Sequence, residues 1–272
     1  MKLIKLFSIL FVFQLLAVNA FAFNWENSAE IETIFADAGV TGTFVVYDVD
    51  NNQFIGYNQQ RANIQYVPAS TYKIPNSIIA LSTGVVSGVD EILPYGGGTH
   101  DMKAWERDMH LADAIKVSNV PIYQYIARQV GMEKMQTYVE KFQYGNMALG
   151  DVVDVFWLKG PLKISAVEQT QFLAKLAQGT LPVDAQSQKL VRDITLLEGG
   201  QGWALHGKTG WYARGDDPGL GWWVGWIVKD GHIYAFALNL DGEFSTENLE
   251  KRVRIGKTSL CALGLYSCEV QK

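Results

Sequence analysis

Strand-like segments stand at both ends of this chain and a long helical block lies between them. Any sheet must therefore be assembled from pieces distant in sequence. Residues 42–48 carry β-branched and aromatic side chains and read as a strand, Asp50-Asn51-Asn52 reads as a turn, and residues 53–58 form the returning strand of a hairpin. A short helix over 30–38 precedes them. From about Val67 apolar residues recur at helical spacing over 70–81, 111–116, 120–130 and 133–142. Ser165 followed by Glu168 is a capping box opening a helix that runs to about Gln178, and a further helix is expected over 185–197. After Gly199-Gly200 strands return at 203–209, 221–228 and 232–240, with Lys229-Asp230-Gly231 as the last hairpin turn and a final helix over 247–263. The expected fold is α/β of the α+β kind: an antiparallel β-sheet flanked by N- and C-terminal helices, with an inserted all-helical subdomain. The sheet part takes about 23–62 plus 199–272 and the helical part about 63–198. The boundary between them is where a cleft, and a site, would form.

Composition removes several classes of function. A net charge of −5 with no Lys/Arg run argues against a nucleic-acid partner. His100, His110, His206 and His232 show no metal-ligand spacing, so no metal is expected. Lys2 and Lys5 precede an apolar stretch over 6–18 broken only by Gln14, and Ala20-Phe21-Ala22 offers a cleavage site. That is the layout of a secretory signal peptide over residues 1–22, with the working domain over 23–272, exported to the periplasm. The alternative of a retained anchor is weakened because the apolar run falls short of the ~20 residues a spanning helix needs. No membrane association is expected after cleavage, and without a following Cys no lipid anchor. In that compartment Cys261 and Cys268 can pair, closing a small loop, or remain two thiols.

The chemistry begins at Ser70-Thr71-Tyr72-Lys73. A Ser at a helix start followed three residues later by Lys puts both side chains on one face, about a turn apart. A serine hydroxyl needs a base to become a nucleophile, and an ordinary lysine, protonated near neutrality, cannot serve. The neighbours Tyr72, Ile74, Pro75, Ile78 and Ile79 are largely apolar, which would depress the amine. Three further motifs follow. Ser118-Asn119-Val120 begins a helix, where Ser118 also reads as an N-cap. Tyr144-Gly145-Asn146 reads as a turn. Lys208-Thr209-Gly210 ends a strand that can present Lys208 and Thr209 to a substrate carboxylate, Gly210 letting a ligand approach the backbone closely.

In this order and at these separations, the motifs resemble the class D serine β-lactamases, the oxacillinase family. The resemblance extends to Phe156-Trp157-Leu158, to Gly221-Trp222-Trp223-Val224-Gly225-Trp226 and to Arg252. It implies hydrolysis of penicillins of the oxacillin type, with cephalosporins and carbapenems as further candidates, and hence β-lactam resistance. It also implies an acyl-enzyme on Ser70 and a Lys73 that carbon dioxide or bicarbonate converts to N6-carboxylysine, with no other cofactor. Trp157 would hydrogen-bond that carbamate. Ser118 would relay a proton to the leaving nitrogen, and the backbone N–H groups of Ser70 and Trp211 would form the oxyanion hole. Lys208, Thr209, Gly210 and Arg252 would bind substrate, with Val120 and Leu158 as apolar walls. Tyr72 stands where the family usually has Phe. Arg214 is a second candidate for the carboxylate, and Asp151 and Asp154 read as loop hydrogen-bonders. Homodimers occur in the family, but no apolar stripe marks an interface. Two alternatives share the nucleophile: a penicillin-sensing receptor domain that stays acylated, against which the lack of a spanning segment counts, and a D-alanyl-D-alanine peptidase, disfavoured by the short single domain and Tyr144-Gly145-Asn146.

Overall fold

The computed structural model describes residues 24–213 and 219–268, so the expected signal segment over 1–22 and Arg214 lie outside the described residues. Strands from both ends of the chain meet in one sheet of seven, in the order β1-β3-β2-β9-β8-β7-β6. These are β1 (Asn24–Asn27), β2 (Gly42–Asp48), β3 (Gln53–Tyr57), β6 (Leu196–Gly200), β7 (Trp203–Tyr212), β8 (Leu220–Lys229) and β9 (His232–Asp241). The junction between the two ends is β2 against β9, antiparallel, with Val46 opposite Phe236. The sheet is not wholly antiparallel as expected, because β1 runs parallel to β3 along the edge. At the β8–β9 turn Asp230 and Gly231 have φ of 51° and 85°, the positive values that a tight hairpin turn demands.

Two sequence readings are corrected here. The helix expected over 185–197 stops at Thr195, and Leu196–Gly200 joins the sheet as an edge strand against β7. An apolar pair such as Leu196-Leu197 fits either periodicity, and sheet pairing decides. Lys208-Thr209-Gly210 lies inside β7, which continues to Tyr212, and does not end it. Because β6 pairs only as far as His206, no strand among the described residues lies on the outer side of β7 from Gly207 to Tyr212.

Each sheet face carries its own apolar cluster. On one, α1 (Ala29–Asp37) and α10 (Thr246–Ala262) bury Ile31, Phe35, Ile255 and Leu260 against Leu205, Trp223, Ile227 and Phe236. Gly256 makes this packing possible, since a Cβ there would fall 2.1 Å from the Trp223 ring. On the other face lie the helices of the middle block: α2 (Gln59–Ala62), α3 (Lys73–Ser82), α4 (Leu111–Lys116), α5 (Val120–Val130), α6 (Met132–Phe142), α7 (Phe156–Lys159), α8 (Ala166–Gln178) and α9 (Ala185–Thr195). A short ribbon of β4 (Ile92–Leu93) and β5 (Met109–His110) precedes α4. The capping box forms as expected, Ser165 accepting from Glu168 N–H while the Glu168 carboxylate accepts from Ser165 N–H. Ile78, Ile122, Ile126 and Leu173 from these helices share one core with Val45, Trp222 and Trp226 of the sheet. Each such side chain contributes about 1.5–3 kcal/mol when fully buried. Cys261 and Cys268 form a disulfide, Cα atoms 5.3 Å apart, which decides between the two readings of that pair.

Candidate active site

Ser70 sits in a single 3-10 turn, Ala69–Tyr72, that leads directly into α3. Ala69 has φ of 48°, a left-handed conformation that costs a residue with a Cβ about 1–2 kcal/mol. Thr71 holds the turn, its backbone N–H (3.2 Å) and its hydroxyl (2.7 Å) both donating to Pro68 O. The Thr71 hydroxyl in turn accepts from Gln169 Nε2 of α8 at 2.9 Å, and Tyr144 OH donates to Gln169 Oε1 at 3.3 Å. The tyrosine of Tyr144-Gly145-Asn146 thus braces the turn bearing Ser70 from behind. Asn146 closes the adjoining loop, accepting from Lys163 N–H at 2.9 Å and donating to Pro161 O at 3.0 Å.

Lys73 is the first residue of α3, and its Nζ donates to Ser70 Oγ at 2.9 Å. The residue has no exposed surface. Burial first, and the positive charge of Lys208 second, hold its amine well below the usual lysine range. An aromatic wall surrounds this end of the helix. Tyr72 stacks on Trp157 (centroids 5.6 Å apart, 23° between planes) and meets Phe156 and Tyr144 edge-on, while Lys73 Nζ lies 5.2 Å from the centre of the Tyr123 ring. The Tyr72 hydroxyl donates to Met135 Sδ at 3.1 Å, so the core accommodates it. Trp157 is fully buried, and its indole N–H has no hydrogen-bond partner among the described residues.

Across from this helix β7 supplies the second lysine. Lys208 Nζ donates to Ser118 Oγ at 3.0 Å and to Thr209 O at 2.9 Å. Burial, with Arg252 nearby, lowers its amine to about 7. Arg252 reaches from α10 to donate to Gly210 O at 2.7 Å and lies 5.5 Å over the Trp211 ring; burial lowers it to about 10. Three expected substrate-binding residues, Lys208, Gly210 and Arg252, therefore meet at the open stretch of β7, and Thr209 with Lys208 lines an adjoining cavity of about 90 Å³ beside Ile115 and Leu197. Gly210 also has a role within the protein. A Cβ there would lie 3.0 Å from Pro68 O and 3.2 Å from Thr71 N, so the turn bearing Ser70 approaches this strand closely. That contact sets Trp211 beside the turn bearing Ser70.

Ser118 is not the N-cap of α5. Asn119 is, its Oδ1 accepting from Ile122 N–H at 3.0 Å, which leaves the Ser118 hydroxyl free for Lys208. Val120, at the first position of α5, and Leu158, in α7, are both half-buried. Asp154 pairs with Arg128 at 2.6 Å and Asp151 is exposed, in keeping with their reading as loop residues. Among the described residues no group of three or more His, Cys, Asp or Glu could hold a metal ion. Gln169 went unnoticed in the sequence, because its contact with Thr71 spans 98 positions and no local pattern signals it.

Residues 42–260 match the family described as the penicillin binding protein transpeptidase domain. The chain is 41% identical over 218 residues to the β-lactamase OXA-10 of Pseudomonas aeruginosa, covering 79% of this chain and 82% of that protein. With the β-lactamase OXA-48 of Klebsiella pneumoniae the identity is 37% over 241 residues, 89% of this chain and 91% of that one. The crystal structure of FUS-1 (OXA-85), a class D β-lactamase from Fusobacterium nucleatum subsp. polymorphum, superposes with a TM-score of 0.85 at 42% identity, covering 89% of this chain and all of that one.

Proposed function

The chain belongs to the class D β-lactamases, serine hydrolases on the penicillin-binding transpeptidase domain, and from that premise we propose how its two buried lysines divide the hydrolysis of a β-lactam. Ser70 Oγ forms a bond to the lactam carbonyl carbon as its proton passes to the base at Lys73. The N–H groups of Ser70 and Trp211 receive the developing oxyanion. The C–N bond then breaks, and Ser118, hydrogen-bonded to Lys208, gives its proton to the departing nitrogen and recovers one from the base, which is thereby free again. Water then gives a proton to that base as its oxygen bonds to the ester carbon, and the proton passes on to Ser70 Oγ as the ring-opened acid leaves. Lys208 and Arg252 hold the substrate carboxylate, with Thr209 beside them, while Val120 and Leu158 keep the base dry.

The observation that carries the role of Lys73 is its burial beside aromatic side chains, hydrogen-bonded to Ser70. A primary amine must be neutral to react with carbon dioxide, and burial favours the neutral form of this one. Trp157, stacked on the neighbouring Tyr72, has a buried N–H with no partner among the described residues, suited to an anionic oxygen. Carboxylated, Lys73 would supply an anionic oxygen base where an ammonium could take no proton. No further cofactor is invoked.

We read the chain after its leader as one catalytic domain, its sheet part about 23–62 plus 199–272 and its helical part about 63–198, a division the sheet order supports. Cleavage after Ala22 would release it to the periplasm. No helix among the described residues is long and apolar enough to cross a membrane. Steady-state turnover of a penicillin, with and without bicarbonate, tests the reading. Activity should fall in carbon-dioxide-free buffer, return with bicarbonate, and vanish in Ser70→Ala. Full activity without carbon dioxide would overturn the carbamate. A burst without turnover would restore the penicillin-sensor alternative, which the relatives do not favour.

A further inference from the structure

Ser118 has φ of 58°, a left-handed conformation that side chains other than glycine rarely adopt. Its cause is the end of α4. Ser118 N–H donates to Ile115 O (3.2 Å) and Asn119 N–H to Ala114 O (2.9 Å), the paired bonds of a Schellman motif with Ser118 at the position glycine ordinarily fills. The Cβ of a serine is strained there, so something beyond the helix end must hold its hydroxyl against Lys208 Nζ.

Trp105 meets both flanks of that residue. Its indole N–H donates to Val117 O at 3.0 Å, and its own carbonyl accepts from Asn119 Nδ2 at 3.2 Å. The residues immediately before and after Ser118 are thus tied to one tryptophan 12 to 14 positions upstream. Asn119 is fully buried, and its other amide atom caps α5, so the bracket also fixes the start of that helix. Trp105 itself is half-buried in a short turn, Lys103–Trp105, whose other residues are exposed. Core packing does not explain it.

We propose that Trp105 is a positioning residue, which through Val117 O and Asn119 Nδ2 locks Ser118 in its left-handed conformation and keeps the hydroxyl on Lys208. The proposal rests on Ser118 as proton relay in acylation. It follows that the loop carrying Trp105 sets the rate of one chemical step and leaves the other alone. Deacylation, which uses the base at Lys73, does not pass through this bracket.

The test separates the two steps by single-turnover kinetics on a penicillin, with Tm recorded for each variant. Trp105→Phe keeps an aromatic ring and removes the N–H. Acylation should slow roughly three- to ten-fold, the range for one neutral hydrogen bond, with deacylation unchanged. Asn119→Ser keeps a capping oxygen but cannot reach Trp105 O, and should show the same split. The double variant should lose little more than the worse single one, because both act on one residue. Acylation within twofold of the native rate in Trp105→Phe would overturn the proposal. So would equal losses in both steps, or a variant that fails to fold, since either would show that the bracket serves the fold at large. Ser118→Ala is the control. If its acylation is native, the relay reading falls and takes the proposal with it; if its acylation is slow and that of Trp105→Phe is not, the bracket alone is wrong.

Discussion

Lys73 and Lys208 are the same residue type, both buried and both pushed below the ordinary lysine range, yet their surroundings ask opposite things of them. Lys208 is met by acceptors, Ser118 Oγ and Thr209 O, on a strand that also receives the Arg252 guanidinium. That is a place for an ammonium and for the anion it attracts. Lys73 meets one hydroxyl, that of Ser70, and the face of the Tyr123 ring, and the adjoining Tyr72 packs on Phe156 and on Trp157, whose buried N–H has no partner among the described residues. An ammonium gains little there. What the pair teaches is that depression of a lysine does not by itself assign its role. The neighbours that remain once the charge is gone do so.

The sharpest way to break this contrast is Lys73→Ala, which should lower kcat/KM by at least about 10³-fold, on the scale of losing one member of a catalytic unit; a loss no greater than that from Lys208→Ala would erase the distinction. Next comes Trp157→Phe, which removes only the N–H. A hydrogen bond to a charged group is worth about 1.5–3 kcal/mol, so turnover should fall roughly 10- to 100-fold, and the bicarbonate concentration giving half-maximal activity should rise. An unchanged bicarbonate requirement would show that Trp157 has nothing to do with the state of Lys73.

Gly210→Ala probes the strand side. Its Cβ would press on Pro68 O and Thr71 N, and a few tenths of an ångström of retreat should cost acylation roughly ten-fold with a small change in Tm. Turnover at the native rate would mean the two walls move independently. The pH dependence is subtler, with two arms of opposite sign. Above about 7 Lys208 loses its proton while Arg252, near 10, keeps its own, so KM for a penicillin should rise several-fold between pH 7 and 9 without binding being abolished. Stability should move the other way. The folded-state pKa lies below the ordinary 10.5, so between these values the unfolded chain binds a proton that the folded one does not, and unfolding free energy rises with pH. A Tm that falls between pH 7 and 9 in carbonate-free buffer would contradict the burial of these amines. The smallest effect is expected from Tyr72→Phe, which gives up one contact to Met135 Sδ. Activity should stay within about twofold and stability within about 1 kcal/mol.

Much of this was legible in the sequence, for reasons that differ by residue. The helices over 111–116 and 120–130 and the capped start at Ser165 carry their information locally, in periodicity and cap chemistry, and the structure places them where expected. The edge strand over 196–200 does not, since Leu196-Leu197 suits a helix end equally well until β7 pairs with it. Ser118 and Asn119 are both good caps. The proline two residues beyond Asn119 was the available clue, since proline favours the first turn of a helix. The motif residues Ser70, Lys73, Ser118 and Lys208 were found through their order along the chain. Their supporters Gln169 and Trp105 act across 98 and 12 to 14 positions, through single hydrogen bonds that no sequence pattern records.

The left-handed conformation of Ser118 has a consequence for how this chain can drift under mutation. Glycine at that position would relieve about 1–2 kcal/mol of strain and would end α4 more comfortably than the serine does. A population selected only for a sturdier protein would therefore discard the hydroxyl, whereas one that depends on the proposed proton relay would keep it. The residue is a point where the interests of the fold and of the chemistry part.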